Sequence, residues 1–195
     1  MKSTDWKFDF SLLPRWDNRE RIPFVYDEFF EIPQQNLLCC IYSVCEVSMC
    51  NPLGFLAVLR NKEKPELIVN ITDNFVFCPQ VSASLDGNLI FLWPSIYDKK
   101  TDYFARPLLI LDLGNNRFSY FITHNFSPCC EIIEVDHGTF RIEADDYQRN
   151  ADKRLEAISK MEIRIDQVNW YDLSQIRKLP KLLQKKTKRW RWFGK

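Results

Sequence analysis

From Gln80 to Ile122 the chain reads QVSASLDGNLIFLWPSIYDKKTDYFARPLLILDLGNNRFSYFI. Apolar runs of strand length (LIFLW, PLLILDL, RFSYFI) alternate here with Gly/Asn/Asp turns. Asp86-Gly87-Asn88 and Gly114-Asn115-Asn116 carry the residue types that tolerate the positive φ of tight hairpin turns. The stretch predicts an antiparallel meander of about four strands, interrupted by one polar excursion from Ser95 to Arg106 (SIYDKKTDYFAR).

Outside this stretch the same plan recurs. Ile22–Ile32 (IPFVYDEFFEI), bounded by Pro23 and Pro33, reads as a strand. Leu37–Val47 (LLCCIYSVCEV) is apolar on both faces at its start, as a central strand is. Gly54–Arg60 (GFLAVLR), a polar turn, and Glu66–Ile71 (ELIVNI) match the plan of PLLILDL, GNN and RFSYFI, their starts at Gly54 and Pro107 lying 53 residues apart. Such spacing marks an internal repeat of a four-stranded unit. A third, shorter unit is expected from EIIEV at Glu131, through the turn Asp136-His137-Gly138 and TFRI at Thr139–Ile142, to EIRI at Glu162–Ile165. SASLDGNLIFLW resembles the second and third strands of a β-propeller blade, but three units fall short of the roughly four that close a ring. The expected fold class is therefore mainly β: antiparallel meanders, propeller-blade-like or sandwich-like, not a closed propeller, with one or two C-terminal helices. The opening residues, with Trp6, Phe8, Phe10 and Leu13, are expected to form an edge strand or a strap over the body. Helices are expected over Asp145–Lys160 and over Asp172–Leu183, the second capped by Asp172 or Ser174 and kinked or ended by Pro180. Residues 1–176 thus form a single β-rich domain with a helix near 145–160, and 172–195 a helix with a basic aromatic tail.

The chain has 195 residues, 46% hydrophobic and 14% aromatic, enough to bury a substantial core. No apolar run approaches the roughly 20 residues of a membrane helix, and the acids in MKSTDWKFDF break any signal-peptide core, so a cytoplasmic protein is expected. Seven cysteines, including the adjacent pairs Cys39-Cys40 and Cys129-Cys130, do not form a disulfide framework. Each pair is expected to direct one thiol inward and one outward. The net charge of +1 conceals a segregation: residues 177–195 hold nine cations and no acid, so the remaining 18 cations against all 26 acids leave residues 1–176 at −8. Opposite fields of this kind attract different partners.

Chemical motifs are sparse. His124 precedes Cys129-Cys130 by five residues and Cys39, Cys40, Cys45 and Cys50 cluster earlier, but no Cys-x-x-Cys or His-x₃-His spacing supports zinc. There is no Gly-x-Ser-x-Gly elbow, His137 sits in a turn that explains it, and Asp145-Asp146 suits a helix N-terminus. Neither cofactor nor metal is expected. An enzyme would need a constellation assembled only by the fold.

Two stretches point to binding. In the tail, Lys188, Arg189, Trp190, Arg191 and Trp192 interleave cations with aromatic faces, which suits nucleic-acid backbones and bases, or else a clasp folded back on the acidic body. On the body, the excursion carries Tyr97, Asp98, Asp102, Tyr103 and Phe104, residue types an interface with a basic protein would use. In size, acidic body, irregular β-rich build and lack of catalytic motifs, the whole chain resembles the immunity proteins of bacterial polymorphic or contact-dependent toxin systems, which neutralise nuclease toxins. That resemblance implies a non-catalytic cytoplasmic protein whose partner is a cognate basic toxin domain, occluded at its active site. The alternative is a nucleic-acid-associated protein acting through its tail.

Overall fold

The computed structural model describes residues 5–15, 25–46, 52–72, 75–98, 103–122, 130–143 and 160–183. Thirteen strands account for most of them: β1 (Tyr26–Ile32), β2 (Leu37–Glu46), β3 (Pro52–Arg60), β4 (Glu66–Ile71), β5 (Phe75–Ala83), β6 (Leu89–Asp98), β7 (Tyr103–Ala105), β8 (Pro107–Asp112), β9 (Arg117–Ile122), β10 (Glu131–Asp136), β11 (Thr139–Glu143), β12 (Lys160–Arg164) and β13 (Tyr171–Asp172). All pairings are antiparallel. The predicted repeat is present: β1–β4 form one meander, β5, β6, β7/β8 and β9 a second, and β10–β12 a third. The first two are joined at one register point, Gly54 opposite Phe77, into a ten-stranded sheet with β13 at its far edge.

The meanders stack face to face, and the side-chain alternation of each strand assigns its residues to layers. Leu37, Cys39 and Ile41 of β2 and Leu56 and Val58 of β3 meet Ile90, Leu92, Leu109 and Phe118 of the second meander in the largest core. The opposite face of the second meander, with Leu89, Phe91, Trp93 and Ile110, packs on Phe140, Ile142 and Ile163 of the third. The outer face of the first meander, with Cys40, Tyr42, Phe55 and Ala57, lies under the N-terminal strap. Because each of the first two meanders lies between two apolar layers, β8 is buried at all six positions and the sequence of β2 is apolar on both faces. The stack is open rather than closed into a ring.

The strap is a short 3₁₀ turn, Phe10–Leu12, with Asp9 capping Ser11. Trp6 and Leu13 are buried, Phe10 meets Phe8 and Phe29 edge-on at 5.1 and 5.0 Å, and Trp6 Nε1 donates to Glu31 Oε1 at 2.6 Å. Its far end is clamped by Arg15, which donates two hydrogen bonds to the buried Asp27 at 2.7 and 2.8 Å. Asp27 Oδ1 also accepts from Ser43 N at 2.9 Å. Ser43 (φ 54°) sits where the registers of β2 with both β1 and β3 shift, so the carboxylate fixes a bulge as well as the strap.

Three expectations change. Cys39 and Cys40 do point to opposite faces, but both are fully buried, because the strand has an apolar layer on each side. The strand leading into LDGN begins at Phe75 and runs through Pro79, which a bulge between Phe77 and Val81 accommodates without a ladder hydrogen bond. The segment after Asp172 is not an α-helix from its start. Asp172 caps a 3₁₀ turn, Leu173–Lys178, that runs on into the short α1 (179–183), so Pro180 lies in the first turn of α1 and does not end it. The helix expected over 145–160 lies outside the described residues apart from Lys160, which opens β12. Ile176, Leu179 and Leu183 enter the largest core, tying 172–183 to the body. Among the described residues no helix is long and apolar enough to cross a membrane.

Candidate binding surface

Strand direction sorts the connections onto two ends. The short turns β1–β2, β3–β4, β5–β6, β8–β9 and β10–β11 share one end, because each meander runs out and back with the same polarity. Hydrogen bonds stitch these turns across the layers. Asn36 (φ 50°) accepts from Asn61 N and, through Oδ1, from Lys62 N, both at 3.0 Å. Gln35 Nε2 donates to Asp86 O at 3.1 Å and Asn88 Oδ1 at 2.8 Å, joining the first meander to the second. Leu85 N donates to Glu134 Oε2 at 2.8 Å, joining the second to the third. Within the 84–88 turn Asp86 accepts from Ser84 Oγ and Asn88 N, and these bonds, the Ser84 hydroxyl first, hold its carboxyl below the usual range. The buried Asp112 organises the neighbouring turn through Asn115 N, Asn115 Nδ2 and Arg117 Nε. Arg117 in turn lies 4.2 Å over the Trp170 ring.

Between these turns lies a cleft of about 360 Å³ lined by Gln35, Leu37, Arg60, Gly87, Asn88, Leu113 and Gly114. Leu37, Gly87 and Leu113 are buried and form its floor, while Gln35, Arg60, Asn88 and Gly114 are exposed at its rim. Gly87 has φ 71°, and a Cβ there would stand 2.8 Å from Ile32 Cγ2, so this wall stays bare backbone.

The excursion chosen from the sequence belongs to the opposite end. It is not a loop detached from the sheet: β6 continues to Asp98 and pairs with β7, Ile96 opposite Ala105, Tyr97 opposite Phe104 and Asp98 opposite Tyr103. Since β5 starts opposite Ile96, residues 97–98 and 103–104 form a two-stranded finger beyond the ladder of β5 among the described residues. The structure therefore brings four of the five predicted residues into adjacent register. Asp102 lies outside the described residues, as do His124 and the tail positions Lys188, Arg189, Trp190, Arg191 and Trp192. His137 is in the β10–β11 turn as expected. The turn-end cleft was missed in the sequence because it is made by residues from four separate turns. Its one advance signal was the clustering of Gly, Asn and Gln at matching positions of two repeats.

The thiols of β2 are not poised as nucleophiles: burial pushes Cys39 up to about 12, and Cys40 is also pushed up, by burial first and by the Asp27 carboxylate second. Among the described residues no three His, Cys, Asp or Glu side chains group as a metal site. What this surface offers chemically is shape, backbone polarity and, among the described residues, the unpaired guanidinium of Arg60. An open stack of three β-meanders under an N-terminal strap, with a turn-lined cleft at one end and a β-finger at the other, defines the class of architecture. No protein-family model, characterised protein sequence or solved structure matches the chain.

Proposed function

We propose that this chain is a non-catalytic, cytoplasmic protein-binding protein of the immunity or inhibitor kind, which neutralises a basic, nuclease-like toxin by occluding its active site. The β6–β7 finger is the observation that carries this reading. Its backbone pairing sets Tyr97, Asp98, Tyr103 and Phe104 in adjacent register on one two-stranded ladder. Aromatic residues beside carboxylates suit a cationic partner surface, and the −8 charge of residues 1–176 favours its approach. Purification of the intact chain from its native cells at low salt is expected to recover one basic protein in stoichiometric amount. Raising the salt to about 0.5 M should release it, because the attraction is screened. Recovery of no such protein, or of one indifferent to salt, would count against the reading.

A second reading, nucleic-acid binding through the tail, has one specific observation in its favour. From residue 176 to 183 the chain buries Ile176, Leu179 and Leu183 while Arg177, Lys178 and Lys181 face solvent, so the described start of the basic segment is anchored on one side and exposed on the other. Single-stranded DNA affinity is then expected to fall steeply with salt and to drop about tenfold or more on deletion of residues 185–195. Unchanged filter retention after that deletion would sink it.

A further inference from the structure

We propose that the turn-end cleft is a binding site for a small carboxylate with an apolar body. Its volume of about 360 Å³ lies at the small end of the roughly 300–1,000 Å³ typical of ligand pockets. Three features set the class of ligand. The floor supplies the apolar side chains of Leu37 and Leu113, both buried in the largest core and therefore rigid. Among the described residues, the only charged one in the lining is Arg60, at the end of β3. Two cations of the adjacent turns are already paired: Lys62 is 2.7 Å from Asp5 and 3.3 Å from Glu31, and Arg117 is 2.8 Å from Asp112. No described carboxylate lies within ion-pair distance of the Arg60 guanidinium, although Glu66 is its register partner across the β3–β4 pair. A planar donor fork beside an apolar floor, with no acid among the described lining residues, matches one carboxylate bidentately. A dianionic phosphate would need more cations or a nest of backbone N–H groups.

The polar rim is held in place independently of any ligand. Both hydrogens of the Gln35 amide are committed, to Asp86 O and to Asn88 Oδ1. The Asn88 amide donates to Asp86 Oδ2. The two walls therefore come from different meanders already bonded together, and the cleft does not have to form on binding. This site is independent of the finger and of the partner proposed for it.

The carboxylate has two natural sources, a free aliphatic acid or the C-terminus of a peptide with an apolar last residue. Hexanoate and N-acetyl-leucine represent them, with hexanol and N-acetyl-leucinamide as uncharged counterparts. In methyl NMR titrations of the full chain, the Leu37 and Leu113 signals are expected to shift saturably with hexanoate, N-acetyl-leucine or both. The uncharged counterparts should bind about tenfold more weakly or worse, the loss of one charge-assisted pair. Arg60→Gln should weaken the acids by a similar factor. Gly114→Leu should block them while leaving Tm unchanged, since a Cβ at Gly114 meets nothing closer than Asp112 Oδ1 at 3.7 Å. Response to hexanoate alone assigns the site to free acids, and response to N-acetyl-leucine alone to chain termini. The proposal is overturned by absence of any saturable shift with both acids, by equal binding in Arg60→Gln or in a folded Gly114→Leu variant, or by inorganic phosphate binding as tightly as the acids.

Discussion

Asp27→Ala is expected to lower the free energy of unfolding by about 3–5 kcal/mol, the cost of breaking a buried ion pair by removing one partner. The carboxylate is almost fully enclosed, with 3% of its side chain exposed against 29% for Arg15. It accepts from Arg15 Nη1 and Nη2 and from Ser43 N. Removing it leaves a guanidinium without its partner and takes the acceptor from a buried backbone N–H at a bulge whose φ is +54°. The strap should loosen first, because Arg15 is the last described residue of its far end. The pH dependence follows from the direction of the shift. Desolvation is the largest single influence and raises the Asp27 pKa, but the Arg15 and Ser43 hydrogen bonds with the Arg15 charge outweigh it and leave the pKa lowered. A depressed carboxylate contributes its stability in full above its unfolded pKa, about 4, and loses it as pH falls through the lower folded value. In urea melts the difference between wild type and Asp27→Ala should be largest near neutral pH and shrink below about pH 4. A constant difference across that range would show that packing, not charge, holds the clamp.

Gly54→Ala should cost about 3 kcal/mol, the upper part of the range for overpacking. An added Cβ would stand 2.8 Å from Tyr42 O, 2.8 Å from Val44 Cγ2 and 2.9 Å from Ile41 Cγ2. One of these is a backbone carbonyl of β2 and the others belong to residues fully buried in the largest core, so relief requires parting β2 from β3. Gly54 is also the register point opposite Phe77 where the two meanders join, and the strain falls on that junction. The measurement is the urea midpoint with its m-value. Gly114→Ala, whose Cβ has room, should stay within about 0.5 kcal/mol of wild type. Similar losses at both glycines would mean that β2 and β3 are not packed as described.

Much of this fold was legible because turn chemistry and apolar runs are local. Asp86-Gly87-Asn88 and Gly114-Asn115-Asn116 are turns as read, and the repeat beginning at Gly54 and Pro107 is the pairing of β3 with β4 and of β8 with β9. Layer order was not legible. One thiol of the Cys39-Cys40 pair is expected to face outward, yet Cys40 is buried with Tyr42 in a cluster that includes Phe8, Phe10 and Leu13 of the strap. Pro180 was read as a breaker because helix starts and interiors have similar apolar spacing, and the 3₁₀ turn ahead of it has no sequence signature of its own. Of the candidate sites, the excursion was picked out because an aromatic and acidic stretch is conspicuous between strands, and the structure shows only that its ends pair. The cleft was not, because Arg60 and Gly114 become neighbours only when two meanders stack.

The proposed role makes the β6–β7 finger an occluding element rather than a mere attachment point, and inhibition separates those two. The decisive measurement is a titration of the partner's nuclease activity with this chain, run in parallel with a variant in which Tyr97, Tyr103 and Phe104 are replaced by alanine and Asp98 by asparagine. The expected result is complete loss of activity at one equivalent of wild type, and for the variant a shift of about 30-fold or more in the concentration required, as hot-spot residues worth 2 kcal/mol or more imply. A partner that stays fully active when saturated with wild-type chain, or that is inhibited equally by the variant, would contradict it.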